Sequence, residues 1–302
     1  MPEESKRRQT RAQDPEQRAR GALEGGLYLV ATPIGNAADI SLRALEVLAN
    51  ADAIAAEDTR RLRTLFQIHG LHVGDRPLVS YHDRNGAQRR PQILRWLEEG
   101  LSVALVTDAG MPLVADPGFR LVEAAIAGGF GLTAVPGASA PLVALALSGL
   151  PTDRFLFAGF LPPKSAARRS ELATLVGMPA TLILFESPRR LAAALADMAE
   201  VLGDRPAAVA RELTKRFEEV RRGTLGGLAE AYASEALPKG EIVVVIGPPL
   251  PAAPEDEADA LEMALPEALA RLSLKDAVAE VANRLGLPRK TVYARALELR
   301  ER

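Results

Sequence analysis

Residues 107–118 read TDAGMPLVADPG, and they follow the apolar run 101–106, LSVALV. That run is too short for a helix and rich in branched side chains, so it reads as a buried strand. Gly110, Pro112, Pro117 and Gly118 rule out regular structure through the turn. Residues 119–127 then have the composition of a helix. A strand that ends in an irregular turn of small residues is where open α/β sheets place their ligands. Two similar turns flank it, TPIGN at 32–36 and VPGASA at 135–140. Three such turns from one sheet can converge on one ligand.

Composition narrows the classes. With 302 residues and 48% hydrophobic content the chain can bury two domain cores and an added small module. It has no cysteine, which excludes disulfides and thiolate chemistry and suits a cytoplasmic location. Its only histidines are His69, His72 and His82, so no metal centre is expected. A net charge of −2 confines any nucleic-acid contact to local arginine clusters. No apolar run approaches the roughly 20 residues that span a bilayer, so no membrane contact is expected.

From these patterns we expect an α/β protein of two α/β domains. Residues 1–24 read as a disordered, charged tail. Residues 25–149 form an N-terminal α/β domain with repeated strand–turn–helix units, hence a parallel sheet. Within it, Asp39 or Ser41 can cap the helix at 42–49, a helix is expected at 64–69, and another at 91–99. Residues 150–249 form a second α/β domain of ordinary size. Residues 250–264, rich in Pro and acids, read as a linker. Residues 265–302 read as a helix-turn-helix-like module: two helices broken at Gly286–Pro288, with Ser273 as N-cap and a basic second helix. Arg289 and Lys290 open that helix and are candidates for RNA contact; a plain helical hairpin is the alternative.

The turns lack the usual ligand fingerprints. There is no Gly-Lys-Ser/Thr phosphate loop and no G-x-G-x-x-G after a strand. GASAP at 137–141 lacks the last glycine of a nucleophile elbow. Small, Pro-rich and uncharged turns suit a flat, partly apolar ligand held by backbone hydrogen bonds. S-adenosylmethionine (AdoMet) fits that description, although spacing alone does not single it out. The first turns of the helix at 138–148 offer N–H groups to a carboxylate.

Taken together, LYLVATPIGNAADISLRALEVL, AAEDTR, SYHDRN, TDAGMPLVADPG, VPGASAPLVALALSGLP, FAGFLPPK, LFESPRRL, RELTKRFEEV and KGEIVVVIG resemble the tetrapyrrole-methylase-like class of AdoMet-dependent methyltransferases. Within that class the chain resembles the small-subunit ribosomal RNA methyltransferases that 2′-O-methylate a cytidine in the decoding centre of 16S rRNA. The resemblance covers about residues 27–248 and extends into the last module. Met111 departs from the Thr usual there, and Ser187-Pro188-Arg189 from a pattern in which Pro and His are common. The resemblance implies a fold of the tetrapyrrole methylase type with the ligand cleft between the two α/β domains, AdoMet as methyl donor, a homodimer, and 16S rRNA within the small ribosomal subunit as partner. Carried over by residue, the AdoMet contacts are Pro33, Ala109, Gly110, Met111, Val114, Ser139, Ala140, Phe185, Leu213 and Gly240. A ribose hydroxyl is a poor nucleophile and benefits from a base or from charge stabilisation. The candidates are Asp58, Glu186, Glu212 and Lys215, each at a strand end and each equally able to serve as a structural ion pair. Arg60, Arg61, Arg84, Arg189, Arg190 and Arg211 are candidates for phosphate contact. Two alternatives stay open: methylation of a tetrapyrrole precursor, and a ribosome-binding protein without catalysis.

Overall fold

The computed structural model describes residues 23–115, 118–250 and 254–300. The expected tail lies almost wholly outside the described residues. The chain divides into two compact units, one ending at Pro248 and one beginning at Pro249.

The larger unit carries both sheets. The first is built from β1 (Gly26–Val30), β2 (Ala53–Ala56), β3 (Leu78–Ser80), β4 (Ser102–Val106) and β5 (Leu132–Val135) in the order β3-β2-β4-β1-β5, with every pair parallel. Period-2 alternation sorts its side chains onto two faces. Val30, Ile54, Ala56, Ala104 and Val106 pack with α1 (Leu42–Asn50) and α2 (Thr59–Ile68). Leu27, Leu29, Ala53, Ala55, Val103 and Leu105 face the other way, toward α3 (Gly86–Glu98) and α4 (Phe119–Ala127). The connection after β1 therefore leaves over one face and that after the neighbouring β4 over the other. Their exits form the switch point of an open α/β sheet.

The second sheet runs β6 (Phe155–Phe160), β7 (Thr181–Glu186), β10 (Ile242–Ile246), β8 (Pro206–Arg211), β9 (Glu219–Thr224). Only β6 and β7 are parallel; β10 is antiparallel to both its neighbours and β9 antiparallel to β8. One face holds Leu182, Leu184, Val209 and Val244 against α6 (Ser165–Ala173), α7 (Leu191–Leu202) and α8 (Leu225–Ser234). The other holds Ile183, Ala210, Val243 and Val245 against Ala144 and Leu145 of α5 (Ala140–Ser148) and against Ile34 of the TPIGN turn. The helix that ends the first α/β segment is thus packed on the second sheet, and the two sheets form one body.

The local differences from sequence have simple causes. Ser41, not Asp39, caps α1 through the Ala44 N–H. The helix that residues 64–69 complete begins at Thr59, where Asp58 caps it. The helix expected at 91–99 begins at Gly86 and carries Pro91 in its interior. The linker expected at 250–264 is corrected: α9 runs Pro254–Arg271. Pro at a first helical position loses only an N–H that had no partner there, and Leu261, Ala264, Leu265 and Ala268 recur at helical spacing in a buried cluster. The smaller unit is therefore three helices: α9, α10 (Leu274–Leu285) capped by Ser273, and α11 (Arg289–Arg300), with Gly286 at φ 69° ending α10. Among the described residues no helix is long and apolar enough to cross a membrane.

One buried ion pair fastens α6 to α7. Asp197 takes Arg168 Nε at 2.7 Å, and both side chains are about 95% buried, at 5% and 4% exposure. Ser165 and Arg169 complete the carboxylate's bonds. Burial pushes the Asp197 pKa up, but the bonds from Arg169, Ser165 and Arg168 outweigh it and hold it below the usual 3.8. Asp197→Asn leaves Arg168 buried without its counter-charge, so we expect a loss of about 3–5 kcal/mol, seen as a lower urea midpoint. Because the folded pKa is depressed, the stabilisation is present above pH 4 and fades as pH falls through the folded value. The difference between wild type and D197N should accordingly shrink in acid.

Candidate active site at the exits of the two sheets

The exits of β1 and β4 are bonded to each other. Thr32 N–H donates to Gly110 O at 2.9 Å, and Gly110 N–H to Thr32 O at 3.1 Å. Gly110 has φ 80°, and a Cβ there would meet Ile34 Cγ2 at 3.3 Å. Beyond it Leu113 (φ 76°) and Ala115 (φ 60°) also lie in the left-handed region. Across the cleft Glu212 (φ 51°) and Thr214 (φ 66°) do the same. Among the described residues these are the four non-glycine positions with positive φ, and all sit on the two turns that face the cleft. Each such residue costs about 1–2 kcal/mol, a pattern common where turns hold a ligand.

A cavity of about 260 Å³ opens beside Gly110. Its walls are Ala109, Gly110, Met111 and Val114 after β4, Ser139 and Ala140 at the start of α5, and Phe185 at the end of β7. These are seven of the ten cofactor positions expected from sequence. Ser139 makes no side-chain capping bond, so the first-turn N–H groups of α5 stay open to a ligand carboxylate. Phe160 and Phe185, with ring centroids 5.3 Å apart, supply an apolar wall. A second cavity of about 330 Å³ adjoins the first, lined by Pro33, Gly35, Asp58, Arg61, Asp108 and Lys215 among others. Ile34, Ala109 and Glu241 belong to both.

Leu213 and Gly240 do not line the smaller cavity; they support its rim. Leu213 is buried in the cluster that holds Ile34. Gly240 has φ 97°, and a Cβ on it would fall 2.2 Å from Glu212 Oε1. This close approach lets Glu212 Oε1 take both the Glu241 N–H at 3.1 Å and Lys215 Nζ at 2.8 Å. Lys215 reaches on to Glu241 Oε2 at 3.0 Å. Its stem crosses Gly35, where a Cβ would lie 2.5 Å from Lys215 Cγ. Asn36 N–H donates to Thr214 Oγ1 at 3.2 Å beside it.

The four catalytic candidates have partners already. Asp58 caps α2 and pairs with Arg60; that bond first of all holds its carboxyl down at about 2. Glu212 is held below its usual value by Lys215. For Lys215, burial works against the charge, yet the bonds to Glu212 and Glu241 raise its pKa and keep it an ammonium. Glu186 lines the smaller cavity, but its side chain is fully buried: Oε1 takes Ser187 N–H and Arg190, and Oε2 is sealed without a partner.

The arginines divide. Arg60 and Arg61 are exposed at the cleft, paired with Asp58 and Asp108. Arg84 lines a depression with Glu57, His82 and Asp83. Arg189 is exposed. Arg190 is drawn to Glu186, and Arg211 to Glu219 and Lys239 O. In the smaller unit Arg289 and Lys290 are exposed on the first turn of α11. The described residues contain no cluster of three metal-ligating side chains. Glu241, Ile242, Val243, Phe160 and Pro141 line the smaller cavity without having been singled out in the sequence.

A paired-sheet unit with adjoining cavities at its strand exits has the form of a ligand-binding α/β protein. Residues 26–229 match the family model of the Tetrapyrrole (Corrin/Porphyrin) Methylases, and residues 254–300 that of the RsmI C-terminal HTH domain. The chain belongs to the tetrapyrrole methylase family and is a methyltransferase. Over 280 residues it is 51% identical to the ribosomal RNA small subunit methyltransferase I of Mesorhizobium japonicum, covering 92% of this chain and 94% of that one. It is 48% identical over 297 residues to the protein of the same name from Micromonospora olivasterospora, covering 95% and 93%. A uroporphyrin-III C-methyltransferase from Thermus thermophilus, solved with S-adenyl homocysteine, shares the fold with a TM-score of 0.50 at 19% identity over 73% of this chain and 97% of that one.

Gly35→Ala should push Lys215 off the TPIGN turn and widen the cleft. We expect calorimetry to show AdoMet bound about tenfold more weakly, some 1.4 kcal/mol, with a melting temperature close to wild type because Gly35 is exposed.

Proposed function

We propose that the protein transfers the methyl group of AdoMet to the ribose 2′-hydroxyl of a cytidine in the decoding centre of 16S rRNA. The observation that carries this reading is the pair of adjoining cavities, one smaller and lined mostly by neutral residues, the other larger and ringed by charge. The names of the full-length relatives give the acceptor as small-subunit rRNA, and the fold neighbour solved with S-adenyl homocysteine supports the cofactor.

The smaller cavity suits AdoMet in size, near the lower end of small-ligand pockets. Ser139 and Ala140 offer helix N–H groups to its carboxylate; Ala109, Gly110, Met111 and Val114 offer a close backbone; Phe185 offers an aromatic wall. Pro33 shapes the neighbouring turn, and Leu213 and Gly240 hold the opposite rim. When bound, AdoMet supplies a methyl group already activated on a sulfonium. The residues around it therefore have chiefly to align the acceptor. Arg60, Arg61 and Arg84 at the cleft, with Arg189, suit phosphates of the RNA strand. Arg289 and Lys290 suit a further RNA contact from the smaller unit. Such a substrate implies action in the cytoplasm on the small ribosomal subunit. The exposed apolar side chains Leu132, Leu142 and Phe155 support the homodimer that the resemblance implies.

The test uses methyl-labelled AdoMet with unmodified 30S subunits, naked 16S rRNA and a uroporphyrinogen-type precursor. Label in an alkali-resistant cytidine dinucleotide is the expected result; label in the tetrapyrrole, or none despite AdoMet binding, would sink the reading. In the same assay an R289A/K290A double variant should raise KM for the RNA acceptor about tenfold, lower its salt dependence, and leave AdoMet affinity as it was.

A further inference from the structure

If a methyl donor occupies the smaller cavity and a ribose the larger, the reacting atoms must meet where the two adjoin, about 3–3.5 Å apart before transfer. Of the three residues common to both cavities, Ile34, Ala109 and Glu241, only Glu241 carries an acidic side chain. The other carboxylates nearby are occupied. Glu57 Oε2 accepts the Asp108 N–H, and Asp108 accepts the Asp58 N–H and pairs with Arg61. Asp58 is committed to its helix and Arg60, Glu212 sits behind Lys215, and Glu186 is closed off. Glu57 keeps one oxygen without a hydrogen bond to a described residue but lines only the larger of the two cavities, whereas Glu241 lines both. Its side chain is 72% exposed, and one oxygen is steadied by Lys215 Nζ at 3.0 Å. Its Oε1 makes no hydrogen bond to any described residue.

We propose that Glu241 is the general base of the reaction, taking the proton of the acceptor 2′-hydroxyl as the methyl group is transferred. This rests on the AdoMet-dependent 2′-O-methylation proposed above. The O–H bond breaks and its proton passes to a Glu241 oxygen. The electron pair released on the ribose oxygen forms the new bond to the methyl carbon. The pair of the broken S–CH3 bond stays on sulfur, which becomes a neutral thioether. The carboxylate then returns its proton to water through its exposed side. Lys215 remains charged throughout, because Glu212 still faces it when Glu241 is protonated. It is a positioning residue: it fixes one oxygen of Glu241 and leaves the other for the hydroxyl.

Glu241→Gln keeps shape and removes the capacity to take a proton. With 30S subunits as acceptor, kcat of E241Q should fall about 100-fold or more. KM for subunits, AdoMet affinity by calorimetry and melting temperature should stay at wild-type values. Glu241→Asp should keep an intermediate rate, and formate should restore part of the rate to Glu241→Ala. Wild-type kcat in E241Q overturns the proposal, and so does a loss of transfer matched by an equal loss of AdoMet affinity, which would make Glu241 a cofactor-holding residue. Wild-type protein that binds AdoMet yet labels no RNA overturns the 2′-O-methylation reading itself, and this inference with it. The two failures are thus told apart by the wild-type arm.

Discussion

Two backbone hydrogen bonds between Thr32 and Gly110 join the exits of adjacent parallel strands whose helices leave to opposite faces. Everything at the site is arranged from that pair. After Gly110 the chain bends through left-handed positions to wall one cavity. After Thr32 the TPIGN turn walls the other and sends Ile34 into the core shared with the second sheet. Only glycine suits position 110, since a side chain would combine an unfavourable φ with contact against Ile34.

The second sheet contributes through the direction of one strand. In an all-parallel sheet, loops that lead into strands sit at the end away from the ligand. Because β10 runs antiparallel to β7 and β8, its beginning lies beside their ends: Ile242 pairs with Glu186 on one side and Arg211 on the other. Gly240 and Glu241 are thereby delivered to the cleft, next to Glu212 and Lys215. The result is a compact set of alternating charges, Glu212, Lys215 and Glu241, on the second sheet's side of the cleft.

Much of this was legible in the sequence because the signals are local. Continuous apolar runs marked the strands, and Gly and Pro marked the turns after them. Seven of the ten expected cofactor positions lie on or beside those turns and line the smaller cavity. What escaped was non-local. Glu241 precedes its strand, so a reading that looked for function at strand exits passed over it; only the strand direction, set by pairing with a strand more than fifty residues earlier, brings it in. Leu213 and Gly240 shape the rim from behind. Residues 254–264 looked like a linker by composition, yet their helix is stabilised by packing against α10 and α11, which composition does not report.

α5 belongs to the first α/β segment by chain order and to the second sheet by packing. Its Ala144 and Leu145 are buried with Ile183 and Val245, and Arg222 bonds to Leu147 O and Ser148 O at its end. Prising the sheets apart like a hinged shell would strip this helix from its bed and expose apolar surface at about 25 cal/mol per Å². The body is thus built to stay shut as a rigid socket. The backbone strain of the cleft, at Leu113, Ala115, Glu212 and Thr214, is therefore carried by the turns at its rim and not by the seam between the sheets.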